Sequence, residues 1–228
     1  MNTPLRVGGL QPLTTIDYPG HLACVLFCQG CAWRCRYCHN PGLIAARSRD
    51  ELRWESVLAF LQRRQGLLQA VVFSGGEATL QPGLAAAMAE VRGMGFKTGL
   101  HTAGIKPQAL AAALPYCDWV GFDVKALPEW ADRITGIPGS GSANWQSLDL
   151  VVASGVAMEC RTTVHSRLMN DAQLLALATA VAARGVRHFV VQEARSASML
   201  DPALGPHARL DSGTWPRLQA MFESVVVR

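Results

Sequence analysis

Short apolar runs alternate with amphipathic stretches along the chain, and this alternation predicts repeated strand–helix units. Apolar segments of strand length occupy residues 22–28, 70–77, 97–104, 118–125, 157–165 and 187–193. The intervening helices have recognisable ends, with Asn170 as a cap and Gly185 as a stop, and a last helix is predicted from about Thr214. We also expect Ser48 and Glu51 to form a capping box before the helix that follows the first strand.

Six strand–helix units predict an α/β fold with parallel strands, because each crossover helix returns the chain to the same end of the sheet. A complete eight-unit barrel takes about 250 residues. The 228 residues therefore predict an incomplete (β/α)6 TIM-like barrel that is open on one side. We expect one domain over residues 1–228, with an N-terminal extension (1–21), a partial barrel core (22–193), and a loop with a C-terminal helix (194–228).

The composition is that of a compact globular protein, with 50% hydrophobic residues, 17% charged residues and a net charge of +4. No run of Lys and Arg forms a basic stripe, so we expect no nucleic-acid partner. No apolar run approaches the roughly 20 residues that cross a bilayer, and no signal-peptide pattern opens the chain. We therefore expect a cytoplasmic protein without a membrane partner, in which the seven cysteines stay reduced.

The segment FCQGCAWRCRYCHNP, residues 27–41, places four cysteines within eleven positions. Cys31, Cys35 and Cys38 have the spacing C-x-x-x-C-x-x-C, which indicates a metal site. Polar and reactive residues also follow the other predicted strands, in the motifs SGGE, HTAG, DVK and RTTVH. Active sites of parallel α/β folds form at the carboxyl ends of the strands, so we expect these motifs to meet there.

The cysteine spacing resembles that of the radical S-adenosylmethionine (SAM) superfamily. The resemblance implies a [4Fe–4S] cluster held by Cys31, Cys35 and Cys38, with the fourth iron left open for SAM. CHNP after the last cysteine, and TTIDYPG before the first strand, resemble the activases of glycyl radical enzymes. Within that branch, the segments are most similar to the long form of the anaerobic ribonucleoside-triphosphate reductase activating proteins.

The same resemblance implies which residues contact SAM. In the family, the aromatic residue before the last cysteine packs on the adenine, the Gly-Gly-Glu motif offers backbone acceptors, and the D-x-K motif contacts ribose and carboxylate. The implied SAM contacts here are Tyr37, His39, Ser74, Gly75, Gly76, Glu77, Asp123, Lys125 and Arg161. Two local alternatives remain: a glycine turn explains SGGE, and an exposed ion pair explains Asp123 with Lys125.

The implied activity is that of a radical SAM oxidoreductase, which cleaves SAM reductively and generates a glycyl radical on a partner enzyme. The resemblance names anaerobic ribonucleoside-triphosphate reductase as the first candidate partner, and a flavodoxin- or ferredoxin-type protein as the electron donor. We expect no catalytic side chain beyond the cluster and SAM. The irregular segment 194–212 is expected to flank the opening and to help select the partner, so that its deletion spares SAM cleavage.

Two other functions stay open at this point. The first is a radical SAM reaction on a small molecule, similar to that of 7-carboxy-7-deazaguanine synthase. The second is a non-catalytic zinc or electron-transfer module, in which Cys28 completes a closed site of four thiolates. Cys28 ends the first predicted strand, and we place it outside the cluster site.

Overall fold

The computed structural model describes residues 4–208 and 211–228, and in these ranges it contains one eight-stranded sheet and seven α-helices. The strands are β1 (Val7–Thr14), β2 (Ala23–Cys28), β3 (Ala70–Gly75), β4 (Lys97–Thr102), β5 (Trp119–Asp123), β6 (Ala157–Val164), β7 (His188–Glu193) and β8 (Ser224–Val227). The helices are α1 (Trp54–Gln62), α2 (Leu84–Gly93), α3 (Pro107–Ala113), α4 (Ala131–Thr135), α5 (Ser140–Ser154), α6 (Asp171–Ala182) and α7 (Thr214–Gln219).

Strands β2 to β7 are the predicted ones, and they lie side by side in chain order, all parallel. Helices connect them and cover the outer face of the sheet, where the strands contribute the large buried residues of the main core. Among the described residues, β1 and β8 lie at opposite edges and do not pair with each other. The predicted α/β fold, an incomplete barrel open on one side, is confirmed.

The two edge strands make the predicted number of six too low. Strand β1 pairs antiparallel with β2, and β8 pairs parallel with β7. The sequence of β1, VGGLQPLT, contains two glycines and a proline, which weaken a strand pattern. Strand β8 has four residues, most of them exposed, as is usual for a short edge strand. Residues 7–14 of the expected extension, and residues 224–227 beyond the last expected helix, therefore belong to the sheet.

The helix ends test one predicted cap and one predicted capping box. The cap Asn170 at α6 is confirmed and proves to be a full capping box, because Asn170 Oδ1 accepts from Gln173 N (2.9 Å) and Gln173 Oε1 accepts from Asn170 N (3.0 Å). The box at α1 is wrong, since α1 begins at Trp54 without a side-chain cap. Glu51 accepts from the Ser48 N–H (2.7 Å) and also pairs with Arg6, which precedes β1, but α1 begins only three residues after Glu51.

The interior of the barrel is packed at the amino ends of the strands. Six buried side chains fill this space and form what we call the lower cluster: Tyr18, Ala23, Val25, Ala70, Val72 and Trp119. The Tyr18 ring lies 5.4 Å from that of Trp119, and it crosses the strands beside Gly99, where a Cβ would approach it to 3.0 Å. The lower cluster thus fills the interior at the amino ends of β2 to β5. In the described part of the chain, no helix is long and apolar enough to cross a membrane.

Candidate active site at the carboxyl ends of the strands

A cavity of about 460 Å³ lies at the carboxyl ends of the central strands, and we call it the upper cavity. All of the site residues predicted from the sequence line it, namely Cys31, Cys35, Cys38, Tyr37, His39, Ser74, Gly75, Gly76, Glu77, Asp123, Lys125 and Arg161. A larger cavity of about 710 Å³ lies at the amino ends of β5 to β8 and contains none of these residues. The prediction that the strand-end motifs meet is confirmed.

The cysteine loop is held in place by α4 and by its own turn. Backbone N–H groups of Arg34 and Arg36 donate to the carbonyls of Thr135 (2.8 Å) and Ile134 (3.0 Å). Within the loop, the N–H of Cys38 donates to the carbonyl three residues earlier (2.8 Å). The thiols therefore lie on a loop whose backbone is fixed against the rest of the fold.

Three thiols reach the upper cavity, whereas Cys28 does not. Cys31, Cys35 and Cys38 are half-buried, and all seven cysteines of the described residues are free of disulfide bonds. Cys28 is fully buried in the main core, so a closed four-thiolate zinc site does not fit this geometry. Burial raises the pKa of the Cys31 thiol to about 12 and raises that of Cys35, on which the Lys125 charge acts in the opposite direction.

Because their pKa values are raised, the Cys31 and Cys35 thiols keep their protons until a metal replaces them. Within the described residues, no three His, Cys, Asp or Glu side chains converge on the position of a single metal ion. In an iron–sulfur cluster each thiolate binds a different iron, so such a cluster does not require convergence on one point.

The glycines of SGGE let the end of β3 lie directly against the cysteine loop. Gly75 has a φ of +115°, and a Cβ on it would lie 2.3 Å from the backbone nitrogen of Cys28. A Cβ on Gly76 would lie 2.3 Å from the carbonyl oxygen of Gly30. The same carbonyl accepts from the N–H of Glu77 (2.9 Å). Glycine is therefore required here for two reasons, the positive φ of Gly75 and the close approach of the two backbones. The alternative of a glycine turn, drawn from the sequence, accounts for the first reason only.

The Glu77 side chain joins the ends of β3 and β4 instead of pointing at a ligand. It is 3% exposed. Its Oε1 accepts from the Thr79 N–H (3.0 Å), the Thr79 hydroxyl (2.6 Å) and the Thr102 hydroxyl, and its Oε2 accepts from Ala103 N (3.0 Å). Both carboxylate oxygens are thus engaged, and the backbone N–H and carbonyl of Glu77 also have partners, the Gly30 carbonyl (2.9 Å) and the Leu80 N–H (3.2 Å). The sequence gives no sign of this second task.

Asp123 and Lys125 form a pair inside the cavity, so the alternative of an exposed surface ion pair is wrong. Lys125 Nζ lies 3.4 Å from Asp123 Oδ2 and 5.7 Å from the centre of the Tyr37 ring. Asn144 fixes the backbone, accepting from Lys125 N and donating to the carbonyl of Asp123, each at 2.9 Å. Burial alone lowers the pKa of Lys125, but Asp123, Tyr37 and Cys35 outweigh it and raise that pKa well above its usual value.

Arg161 is a buried charged residue of the cavity wall whose guanidinium is held on several sides. It is 5% exposed, and its Nε donates to Glu159 Oε1 (2.7 Å). Its Cζ lies 5.1 Å from the centre of the Trp119 ring, and a Cβ on Gly121 would lie 2.6 Å from that carbon. Within the described residues, Arg161 Nη2 and the Tyr37 hydroxyl are buried without a hydrogen-bond partner. Both residues line the upper cavity, where a ligand can complete their hydrogen bonding; Thr162 Oγ1 and His207 Nε2 are also buried without a partner, but neither residue lines this cavity.

Two histidines of the motifs differ in position. His39 lines the cavity, and its Nε2 accepts from the backbone N–H of Arg195 (2.9 Å). Burial, together with the Arg195 charge, lowers the pKa of His39, which keeps the ring neutral and able to accept. His165 is fully buried outside the cavity, with Nε2 3.1 Å from the carbonyl oxygen of Gly205.

The segment 194–208 packs onto the cysteine loop. The N–H of Leu200 donates to the Cys38 carbonyl (3.0 Å), that of Asp201 donates to the Arg36 carbonyl (2.9 Å), and the Arg36 side chain pairs with Asp201 (2.8 Å). Arg209 and Leu210, which belong to the same predicted segment, lie outside the described residues. These contacts lead us to expect that deletion of the segment disturbs the loop as well, contrary to the expectation from sequence.

Two charged residues of the cavity wall are absent from the predicted set. Asp17 lines the cavity from the β1–β2 connection, and Arg195 lines it from just beyond β7. Asp17 belongs to the TTIDYPG motif, so a signal for it was present in the sequence. The sequence feature that points to Arg195 is its position two residues after the end of β7.

Comparisons with known proteins agree with this geometry of a partial barrel and a thiol-lined cavity. Residues 25–178 match the family described as the Radical SAM superfamily. That match covers more than half of the chain, and the chain belongs to this superfamily. Radical SAM enzymes use a [4Fe–4S] cluster and SAM, so the chain is an enzyme with these cofactors.

Relatives of similar length carry the names of activating enzymes. The chain is 29% identical over 184 residues to a Methanocaldococcus jannaschii protein named as a glycyl-radical enzyme activating enzyme, with 77% of this chain and 75% of the relative covered. It is 32% identical over 172 residues to the pyruvate formate-lyase-activating enzyme of Clostridium pasteurianum, with 73% and 71% covered.

Solved structures share the fold. SuiB of Streptococcus suis, bound to its precursor peptide SuiA, superposes with a TM-score of 0.66 at 14% identity, over 90% of this chain and 48% of SuiB. Methylornithine synthase superposes with a TM-score of 0.66 at 11% identity, over 90% of this chain and 63% of that one. The chain thus spans about half the length of SuiB.

Proposed function

We propose that the chain is an activating enzyme that generates a glycyl radical on a partner protein, with anaerobic ribonucleoside-triphosphate reductase as the partner. Two relatives named as activating enzymes, matched over about three quarters of this chain, support the reaction class. The segments TTIDYPG and QGCAWRCRYCHNP support the choice of partner.

Cys31, Cys35 and Cys38 hold the cluster in this proposal. SAM is bound by the remaining predicted residues, Tyr37, His39, Ser74, Gly75, Gly76, Glu77, Asp123, Lys125 and Arg161. A cluster and SAM held by these residues would supply the one-electron reductive chemistry that hydrogen-atom removal from the partner's glycine needs, and the chain's own residues would bind and orient both groups. No side chain of this chain is required to donate or remove a proton.

The single observation that carries the proposal is the arrangement of three half-buried thiols with unpartnered polar atoms around one cavity. The thiols suit three corners of a cluster. The Arg161 guanidinium, with Nη2 unpartnered, suits the carboxylate of SAM, because such pairs form short charge-assisted hydrogen bonds. The SGGE backbone, which approaches the cysteine loop closely, suits the amino group of the same ligand.

The open side of the barrel suits a protein substrate. The gap between β1 and β8 gives an extended segment access to the upper cavity, while Trp33 and Tyr37, each 4% exposed, shield the cavity from water. We further propose a reduced flavodoxin or ferredoxin as the electron donor and a cytoplasmic location, where free thiols persist.

Anaerobic co-incubation tests the proposal. The reconstituted protein is mixed with SAM, a reductant and the candidate reductase, and the glycyl radical is detected by electron paramagnetic resonance. We expect a radical signal that depends on SAM and is lost in Cys35→Ala. The matched control Cys117→Ala, which removes a buried cysteine outside the cavity, retains the signal.

Product analysis separates this function from a small-molecule reaction. Formation of 5′-deoxyadenosine without any radical on the reductase would contradict the activase proposal and keep the superfamily assignment. Absence of both products would contradict the cofactor roles given to the cavity residues.

A further inference from the structure

A second cavity of about 500 Å³ opens on the unclosed side of the barrel, between the β1–β2 connection and the β7–β8 edge. We call it the lateral cavity. Its wall contains three arginines, Arg161, Arg195 and Arg228, together with Gln192 and Asp17. All of these except Arg228 also line the upper cavity, so the two cavities adjoin.

The arginines outnumber the carboxylates that face them. Glu159, whose side chain is 9% exposed, accepts from Arg161 Nε (2.7 Å) and from Arg228 Nη1 (2.9 Å). Asp17 Oδ2 accepts from the Thr14 hydroxyl (2.5 Å). Three arginine side chains thus face two side-chain carboxylates, one of which, Glu159, is shared by Arg161 and Arg228.

Two of the guanidinium groups keep donors to spare. Across residues 4–208 and 211–228, the exposed side chain of Arg195 takes part in no hydrogen bond or ion pair, and the buried Arg161 uses only its Nε. Arg161 Nη2 is buried without a partner, which costs free energy unless a ligand accepts from it. The Arg161 guanidinium is also fixed against Gly121 and Trp119, so it presents its donors in one orientation.

We propose that the lateral cavity is an anion-binding subsite, in which Arg195 and Arg161 receive a carboxylate or phosphate group of the substrate beside bound SAM. The two Nη nitrogens of Arg161 allow it to serve SAM on one side and the substrate anion on the other. This proposal rests on the proposed function, because it takes SAM to be bound in the upper cavity. The bound anion has two possible sources. It is either an acidic side chain near the target glycine of a protein segment or a free small anion.

Binding of malonate and of inorganic phosphate to the reconstituted enzyme tests the subsite, measured by anaerobic titration calorimetry. We expect Arg195→Ala to weaken binding of these probes about tenfold, and the charge reversal Arg195→Glu to abolish it. The matched control Arg53→Ala removes an exposed arginine outside both cavities and leaves probe binding unchanged. The SAM affinity of the same preparations is the reference. Equal losses for SAM and the probes would overturn the subsite, as would probe binding that does not depend on Arg195.

Two peptides with a central glycine identify the source of the anion. One carries aspartate beside the glycine and the other carries asparagine. Displacement of malonate by the aspartate peptide alone assigns the anion to a protein segment, whereas displacement by neither peptide assigns it to a small molecule. Displacement by both peptides equally overturns charge recognition. Anion binding that persists while no partner acquires a glycyl radical would keep the subsite and contradict the proposed activase function.

Discussion

The lower and upper halves of the barrel interior are built by the same strands, yet they differ in polarity and in packing. Along β3 the inward residues change from Val72 to Ser74, and along β5 they change from Trp119 to Asp123. The lower half is an apolar packing cluster, whereas the upper half is a cavity with thiols, an ion pair and unpartnered donors. Only two to four residues along a strand therefore separate the part that stabilises the fold from the part that lines the cavity.

The largest contrast is expected from one substitution in each half. Cys35→Ala removes a half-buried thiol of the upper half. We expect this variant to lose the cluster and SAM cleavage, while the melting temperature of the metal-free protein stays unchanged. Val72→Ala opens a cavity in the lower cluster and is expected to lower the free energy of unfolding by about 2 kcal/mol, with SAM cleavage retained. Product assays and melting curves on both variants check this. Loss of cleavage in Val72→Ala would mean that the halves are not separable.

The next largest effect is expected at Gly75, where the upper half is packed as tightly as the lower one. Gly75→Ala adds a Cβ 2.3 Å from the backbone nitrogen of Cys28 at a φ of +115°, so we expect destabilisation by at least about 2 kcal/mol. Gly66→Ala is the matched control, because Gly66 also has a positive φ (+76°) but open space around it. Denaturant titration measures both. Equal losses in the two variants would show that φ alone matters and that the contact with Cys28 does not.

A smaller effect is expected when the Glu77 carboxylate is changed. Glu77→Gln replaces an accepting oxygen with a donating NH2 facing either threonine donors or the Ala103 N–H, so we expect a loss of about 1–3 kcal/mol. Glu55→Gln, at a side chain that is 71% exposed, is the control and should change stability by less than about 0.5 kcal/mol. Chemical unfolding of both variants is the measurement. An unaffected Glu77→Gln would mean that this carboxylate does not tie β3 to β4.

The smallest effect concerns pH, at the boundary between the halves. His101 Nε2 lies 2.8 Å from the Asp17 carbonyl oxygen, and its ring lies 5.6 Å from that of Trp119. Burial, followed by the Arg161 charge, lowers the pKa of His101 well below its usual value. The unfolded chain therefore takes up this proton first, and stability should fall as pH drops below about 6.5, by up to about 1.4 kcal/mol per pH unit.

The comparison of His101→Gln with the wild type isolates this contribution, because other groups titrate in both proteins. We expect a shallower decline of unfolding free energy between pH 7.5 and 5.5 in the variant. His188→Gln, which changes an exposed histidine, should retain the wild-type slope. Identical slopes in His101→Gln and the wild type would show that His101 does not resist protonation.

The sequence predicted the parts of the fold that depend on local pattern. Strands β2 to β7 were predictable because each is an apolar run, and the strand-end rule brought Cys35, Asp123 and Arg161 to one cavity. Strands β1 and β8 were not predictable, because their pairing depends on neighbours already in the sheet. The capping box at Glu51 failed for a related reason, since Leu52 forms a β-bridge with Val7 and the helix begins only at Trp54.

The finer organisation of the site also depends on residues distant in sequence. Glu77 is occupied by Thr102 and Ala103, about a strand–helix unit away, and no motif marks this. Gly121 makes room for the Arg161 guanidinium across β5 and β6, which only the register of the two strands reveals. Sequence therefore indicated which residues gather, and packing determined how their side chains are used.

The metal content of the anaerobically purified protein tests the central claim that three thiols of the upper half, and not Cys28, hold the cluster. We predict four irons and four sulfides per chain, an electron paramagnetic resonance spectrum of the reduced protein that changes on addition of SAM, and retention of both in Cys28→Ala. Loss of the metal in Cys28→Ala, or zinc in place of iron and sulfide, would contradict the account.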